Sequence, residues 1–231
     1  MKLRLPEERP AQPPIGYKIA YPLLSQDGGG AAFLGVSLGG GRPYGVLADA
    51  RCAYGRRHAS PSRRCDCGFH CLSSRAEAAG LTATAEHRSA VLLQVSVLGR
   101  YIRFERGLRY ARQRVRTATV GPCRCGRPAA VLADAGWGRP GWLAVEPACV
   151  GCAGARTAVA PAEFARLGGE GLRVRFAEGA GAARSGGGVS GGSGVSDGSS
   201  VVELAAEAAL LQARLDHFQT ELAKLTGEPP S

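Results

Sequence analysis

The sequence predicts an α+β protein: a small, strand-rich domain organised by zinc, with a zinc ribbon, then a flexible linker and a C-terminal coiled-coil helix. Three observations lead to this prediction. Short apolar runs separated by glycine clusters are typical of strands and turns. The eight cysteines fall into two groups, at 52–71 and 123–152. A Gly/Ser-rich stretch at 179–200 precedes a heptad pattern of apolar residues.

Changes in composition divide the chain into five segments. We expect a loose N-terminal arm at 1–14, a strand-rich domain at 15–120, a ribbon with a closing segment at 121–178, a linker at 179–200 and a coiled-coil helix at 201–226. The net charge of +10 is concentrated before the linker, since only three of the 29 basic residues follow residue 178. The net charge of residues 1–178 stays positive even if their cysteines bind zinc as thiolates.

Local signals place the elements within the first 178 residues. A turn is expected at Gly99-Arg100 between two strands. Ser74 and Glu77 form a capping box for a short helix, and the proline and glycine that bracket 161–168 indicate a second one. Strands are expected at 31–38, 44–50, 90–98, 101–117 and 172–176.

The second cysteine group has the spacing of a zinc ribbon. Cys123-x-Cys125 and Cys149-x2-Cys152 are two pairs separated by enough chain for a hairpin, with strands expected at 127–134 and 142–146. Four thiolates suit a closed tetrahedral site that holds zinc for structural purposes. A disulfide framework is the alternative, but clustered cysteines in a reducing compartment are more often metal ligands.

The first cysteine group supplies a second predicted zinc site. Its candidate ligands are a Cys3His set: Cys52, His58, Cys65 and Cys67. Cys71 is an alternative ligand in place of Cys52, and the role of His70 and of a spare Cys71 thiol stays open. We therefore expect two zinc ions per chain, with the first site either closed or open to solvent.

The residues around this group also carry a family resemblance. The chain reads His58-Ala-Ser-Pro61-x3-Cys65-x-Cys67-Gly68, followed by Glu105, Gly107 and Arg109. It resembles uncharacterised bacterial, mainly actinobacterial, proteins with the pattern H-x-A-P-x3-C-x-C-G-[IFY]-Y-A and then G-x-[VI]-x-x-H-E-x-G-[YW]-R-A. The departures from that pattern include Cys71, Phe104 and Leu108. The resemblance covers residues 15–115; it implies that His58 acts with Cys65 and Cys67, and it implies no activity.

An arginine-rich run suggests a partner. Residues 100–116 contain one opposing acid, Glu105, and interleaved aromatic side chains. Arginine with exposed aromatic rings suits phosphate contact and base stacking, whereas a solvated sheet face is the structural alternative. The candidate nucleic-acid contacts are Arg100, Arg103, Arg109, Arg112, Arg114 and Arg116.

The C-terminal segment predicts self-association or binding to a partner helix. Apolar residues there recur at alternating spacings of three and four, and docking onto the chain's own domain is the alternative. The candidate interface residues are Leu204, Leu211, Leu215, Phe218, Leu222 and Leu225.

Together these features predict a non-enzymatic zinc protein that contacts nucleic acid, or the machinery acting on it, and oligomerises. No catalytic motif is present in the sequence, so no catalytic residue is assigned. Because no apolar run reaches the length of a membrane span and no secretory signal opens the chain, we expect a cytoplasmic protein. A protein–protein adaptor with structural zinc is the main alternative, and a zinc enzyme is a further one.

Overall fold

The computed structural model describes residues 12–36, 41–52 and 54–177. Within these ranges, ten strands form one sheet that is antiparallel except for one pair. The predicted linker and coiled-coil helix lie outside the described residues. The strands are β1 (Ile15–Ser25), β2 (Ala31–Gly35), β3 (Leu47–Asp49), β4 (Phe69–Leu72), β5 (Val91–Arg103), β6 (Gly107–Val120), β7 (Val131–Arg139), β8 (Trp142–Ala148), β9 (Ala158–Val159) and β10 (Arg173–Phe176).

The sheet curls back on itself around the β5–β6 hairpin. One edge of β6 pairs along β5, while its other edge pairs in turn with β4, β3 and β10. Strand β1 pairs with β5 and also meets β4 at Tyr17 and Leu72. The pairings β1–β5, β5–β6, β6–β4 and β4–β1 therefore form a closed ring. Its interior contains fully buried side chains such as Tyr110 and Leu93.

The β5–β6 hairpin is longer than the sequence predicts. Instead of turning at Gly99-Arg100, β5 runs on to Arg103, and the connection closes with Phe104 N–H donating to Gly107 O at 2.8 Å. Gly99 has a φ of 68°, and the register shifts between Leu98 and Tyr101. A glycine with positive φ suits a bulge as well as a turn, so the local signal was correct about conformation and wrong about where the chain reverses.

Three short helices accompany the sheet: α1 (Arg75–Leu81), α2 (Val150–Ala153) and α3 (Pro161–Gly168). Ser74 caps α1 as expected, since its side chain accepts from Glu77 N–H at 3.3 Å. The Glu77 carboxylate accepts from Arg106 at 3.0 Å, so the predicted capping box is present in its first half. Proline opens α3 as expected. The predicted α+β class is nevertheless wrong, because the helices are too few and short to form a layer of their own.

The ribbon hairpin belongs to the same sheet as the preceding residues. Strands β7 and β8 pair with each other, and β8 pairs with β1 at Leu23–Ser25. Long-range pairing of this kind has no local sequence signal, which is why the predicted fold treated the ribbon as an added unit. Among the described helices, none has the length and apolar character needed to span a membrane.

Candidate metal centres

The first cluster lies on the long connection between β3 and β4. Ligand atoms of Cys52, His58, Cys65 and Cys67 all lie within 4.8 Å of one another. The Cys52 and Cys65 Sγ atoms are 3.7 Å apart, and Cys67 Sγ is 3.9 Å from the His58 ring nitrogens. Thiolates bound tetrahedrally to zinc at about 2.3 Å are about 3.8 Å apart, so the spacing fits one shared ion.

The orientation of His58 is compatible with metal binding. Its Nδ1 lies 3.2 Å from the Ala59 carbonyl oxygen. In the tautomer with the proton on Nδ1, this nitrogen donates to that carbonyl and leaves the Nε2 lone pair for a metal. Hydrogen bonding of the second ring nitrogen is the usual way in which a histidine ligand is held in place.

A buried arginine attaches the first metal-binding loop to the sheet. Arg109 of β6 is 5% exposed, and its guanidinium donates to the main-chain carbonyls of Cys65 and Ser62. It also lies 3.4 Å from Asp66 and stacks over the Phe104 ring. Arg109 therefore holds both ends of the Ser62–Cys65 turn, which carries one of the ligands, and is removed from the surface on which the sequence placed it.

Gly68 allows the chain to leave the first cluster and enter β4. Its φ is 131°, and an added Cβ would lie 2.9 Å from Arg109 Cγ. A side chain here would be strained and would press on the buried arginine. Thus Cys67, Gly68 and Arg109 form one structural unit, although they are far apart in the sequence.

The second cluster joins two turns that flank the ribbon hairpin. Cys123 and Cys125 lie on the turn after β6, while Cys149 caps α2 and Cys152 lies within it. Their sulfur atoms lie within 4.8 Å of one another, and Cys125 Sγ is 3.7 Å from Cys149 Sγ. The first turn is closed by Gly126 N–H donating to Cys123 O at 2.8 Å.

The ionisation of the thiols in the second cluster also favours the binding of a metal cation. The Arg127 guanidinium donates to Cys125 Sγ at 3.4 Å and lowers the pKa of this thiol to about 6. Hydrogen bonding with the neighbouring cysteines, led by Cys125, raises the pKa of Cys152 to about 12. The four thiols therefore cannot all ionise near neutral pH by themselves, whereas a bound divalent ion makes the full thiolate set stable.

The chemistry of both donor sets fits zinc in structural sites. All eight cysteines are free, and sulfur separations of 3.7 Å are far longer than a disulfide bond. Three thiolates with an imidazole, and four thiolates, are the ligand sets of structural zinc. The two predicted groupings are thus brought together as expected, and each is compatible with a bound zinc ion.

Cys71 lies apart from the first cluster. It is on β4, where its Sγ packs so closely against Gly16 of β1 that an added Cβ there would lie 2.2 Å from it. Burial raises the pKa of the Cys71 thiol above its usual value. The Cys3His set containing Cys52 is therefore the one that the geometry supports, and Cys71 is a residue of the interior.

The arginines that the sequence predicts to contact nucleic acid lie in different environments. Arg112, Arg114 and Arg116 alternate with buried residues of β6 and share its outer face, as the sequence indicates. Arg112 pairs with Asp49 at 2.6 Å, and Arg116 donates to Ser96 Oγ at 2.9 Å. Arg100 and Arg103 are exposed on β5 near the far end of the hairpin. The outer face of β6 is thus basic, but Arg112 and Arg116 already bind other side chains of the protein.

A second basic surface was missed in the sequence. The first metal-binding loop carries five exposed arginines, and Tyr54 beside them is 52% exposed with Arg56 over its ring. Among the described residues, none of these arginines forms an ion pair. We call them the loop arginines: Arg51, Arg56, Arg57, Arg63 and Arg64. The alternation of these arginines with the predicted metal ligands was the feature of the sequence that could have predicted this basic surface.

Comparisons with known proteins provide no further assignment. The chain has no significant match among family models, among curated proteins or among solved structures. The metal centres and the basic surface around the first of them are therefore the features from which a function is inferred.

Proposed function

We propose that this protein is a non-enzymatic, zinc-stabilised module that binds nucleic acid through the loop arginines and the outer face of β6. The observation that carries the proposal is the concentration of unpaired arginines and an exposed tyrosine on a metal-binding loop. Phosphates attract such a surface, and an exposed ring can stack on an unpaired base.

The two basic surfaces are continuous along the chain. Strand β3 pairs with β6 at Arg112–Arg114, and the loop begins two residues after Asp49, at Arg51. Zinc at the first cluster would fix the loop in one conformation, so that its cations are held in place before a ligand arrives. Preorganised cations lose less conformational entropy on binding than arginines on a mobile loop.

The proposal includes self-association through 201–226. This part rests on the heptad pattern of the sequence, because these residues lie outside the described ranges. Several copies joined by a coiled coil would bind a long nucleic acid more tightly than one copy, since later contacts become intramolecular. Light scattering on the full chain, with and without the Leu211→Asp and Leu215→Asp substitutions, tests it; the doubly substituted chain is expected to be monomeric.

Anisotropy of a labelled oligonucleotide tests nucleic-acid binding. Zinc-loaded protein is titrated into single-stranded DNA, duplex DNA and RNA between about 50 and 300 mM salt. An Arg56→Gln, Arg57→Gln variant is expected to bind at least about tenfold more weakly, and its salt slope on duplex DNA should fall by about 2. The matched control replaces two exposed arginines away from this surface, Arg88 and Arg139, by glutamine, and should change affinity less than threefold.

Two results would contradict the proposal. Absence of binding at the lowest salt would leave the adaptor as the better class of function. An equal loss in the loop variant and in the matched control would show that total charge, and not this surface, determines the interaction.

A further inference from the structure

A large cavity lies at the mouth of the closed ring of strands. Its volume is about 910 Å³, and its wall comes from β1, β4, residues 41–51 and the connection between β5 and β6. None of the eight residues of the two metal clusters lines it. Volumes of roughly 300–1,000 Å³ are typical of sites that hold small organic molecules.

The Lys18 ammonium is one of the polar groups that line this cavity. Its Nζ lies 5.0 Å from the centre of the Tyr44 ring and 4.9 Å from the centre of the Phe69 ring, and the two rings contact each other edge to face. Within the described part of the chain, no carboxylate pairs with Lys18. Aromatic faces attract a cation, but they do not supply the counter-charge that a buried ammonium usually has.

The ionisation of Lys18 is compatible with an anion-binding role. Desolvation lowers its pKa from 10.5 to about 8, and the nearby Cys71 opposes this change. The amine is therefore still mainly protonated at neutral pH. An anion that enters the cavity would meet a positive charge that water solvates poorly, and such charge pairs are stronger than those at an open surface.

The remaining wall of the cavity has two kinds of surface. Arg42 and Arg51 add positive charge, whereas Arg106 is paired with Glu77 at 3.0 Å and Asp49, the one acid among the described lining residues, is paired with Arg112. The partly buried side chains of Val36, Leu72 and Leu81 contribute an apolar wall. This combination selects against cations and against fully hydrated inorganic ions, and it favours an anion that carries an apolar group.

We propose that this cavity is a binding site for a small organic anion, whose carboxylate or phosphate group pairs with Lys18 while its apolar body lies against Val36, Leu72 and Leu81. None of the metal ligands lines the site, and of the loop arginines only Arg51 does, so the Arg56 and Arg57 substitutions that test nucleic-acid binding leave its lining intact.

The test uses a fluorescent aromatic anion, anilinonaphthalene sulfonate, with the zinc-loaded full chain. We expect saturable binding at one site per chain with increased emission. Lys18→Met removes the charge but keeps an unbranched side chain that packs well on aromatic rings. This variant should bind the dye at least about tenfold more weakly, while its zinc content and far-UV circular dichroism stay the same.

A second variant and a control make the result decisive if Lys18→Met fails to fold. Arg42→Met changes an exposed residue of the lining and should weaken binding about threefold. Arg139→Met removes an equal charge from β7, outside the cavity, and should leave affinity unchanged.

Competition distinguishes the two anionic groups. Displacement of the dye by benzoate but not by phenyl phosphate assigns a carboxylate ligand, and the reverse assigns a phosphate ligand. The proposal is overturned if neither compound displaces the dye or if binding does not saturate. It is also overturned if the Lys18→Met protein folds and binds the dye like the unsubstituted chain. Where Lys18→Met does not fold, unchanged binding by Arg42→Met overturns it.

Discussion

The first metal cluster differs from the second in what holds its ligands together. In the second cluster, two short turns are fixed by the β7–β8 hairpin, whose strands pair with each other and with β1. In the first, the ligands lie on one loop without an assigned strand or helix, and Arg109 attaches that loop to the sheet. A bound metal ion would therefore complete a folded hairpin at one cluster and define the conformation of a loop at the other.

This difference has a consequence for function. A loop whose conformation depends on its metal can present unpaired charges at the surface, since few of its side chains are needed for packing. A hairpin within a sheet must use its side chains for the core, as the fully buried Leu132 and Ala144 show. Accordingly, the exposed arginines lie around the first cluster, and we expect metal at the second to contribute more to the stability of the fold.

The largest expected effect is the unfolding that follows loss of zinc from the second cluster. Cys149→Ser should reduce the zinc content from two ions per chain to one and unfold the hairpin region, because metal binding supplies folding free energy on the order of 10 kcal/mol in isolated zinc fingers. Metal analysis and protease sensitivity of 121–155 measure it. Cys65→Ser, its counterpart in the first cluster, should also lose one zinc ion but leave the hairpin protected. If both variants unfold to the same extent, the proposed contrast between the clusters is wrong.

The second effect concerns the attachment of the first loop. Arg109→Met should lower the free energy of unfolding by about 3 kcal/mol, since it leaves two main-chain carbonyls without a charged donor, each such bond contributing about 1.5–3 kcal/mol. Zinc should dissociate faster from the first cluster only. Denaturant unfolding and zinc transfer to a coloured chelator measure the two quantities. Arg112→Met, on an exposed position of the same strand, is the control and should change stability by less than 1 kcal/mol.

The smallest effect should appear in the pH at which the second cluster releases zinc. Arg127 keeps the pKa of Cys125 at about 6, well below the usual 9.0 of a thiol. Because Arg127→Met lets this pKa rise, protons compete better with zinc, and release on acidification should begin at a higher pH. Loss of such an outer contact typically weakens metal binding about 10- to 100-fold. Release from the first cluster should stay unchanged, and a shift at both clusters would refute the local explanation.

Much of the metal chemistry was predictable because it depends on local spacing. Cysteine pairs separated by one or two residues can bind one ion only if the chain turns between them, and both predicted groupings are found as clusters. The Ser74 cap of α1 and the proline at the start of α3 are likewise local, and both helices were expected. The resemblance to actinobacterial proteins stays a prediction, although two of its matching residues, Gly68 and Arg109, lie together at the first cluster.

The sequence by itself therefore determined which residues form the two candidate metal centres and where short helices begin. Only the tertiary structure decided that the ribbon hairpin joins the main sheet, that Arg109 is buried under the first loop, and that Lys18 lies over two aromatic rings in a cavity. Each of these depends on pairing between strands distant in the chain, such as β1 with β4 and β8 with β1. Side-chain alternation shows that a strand has two faces, but the partner strands decide which face becomes the interior.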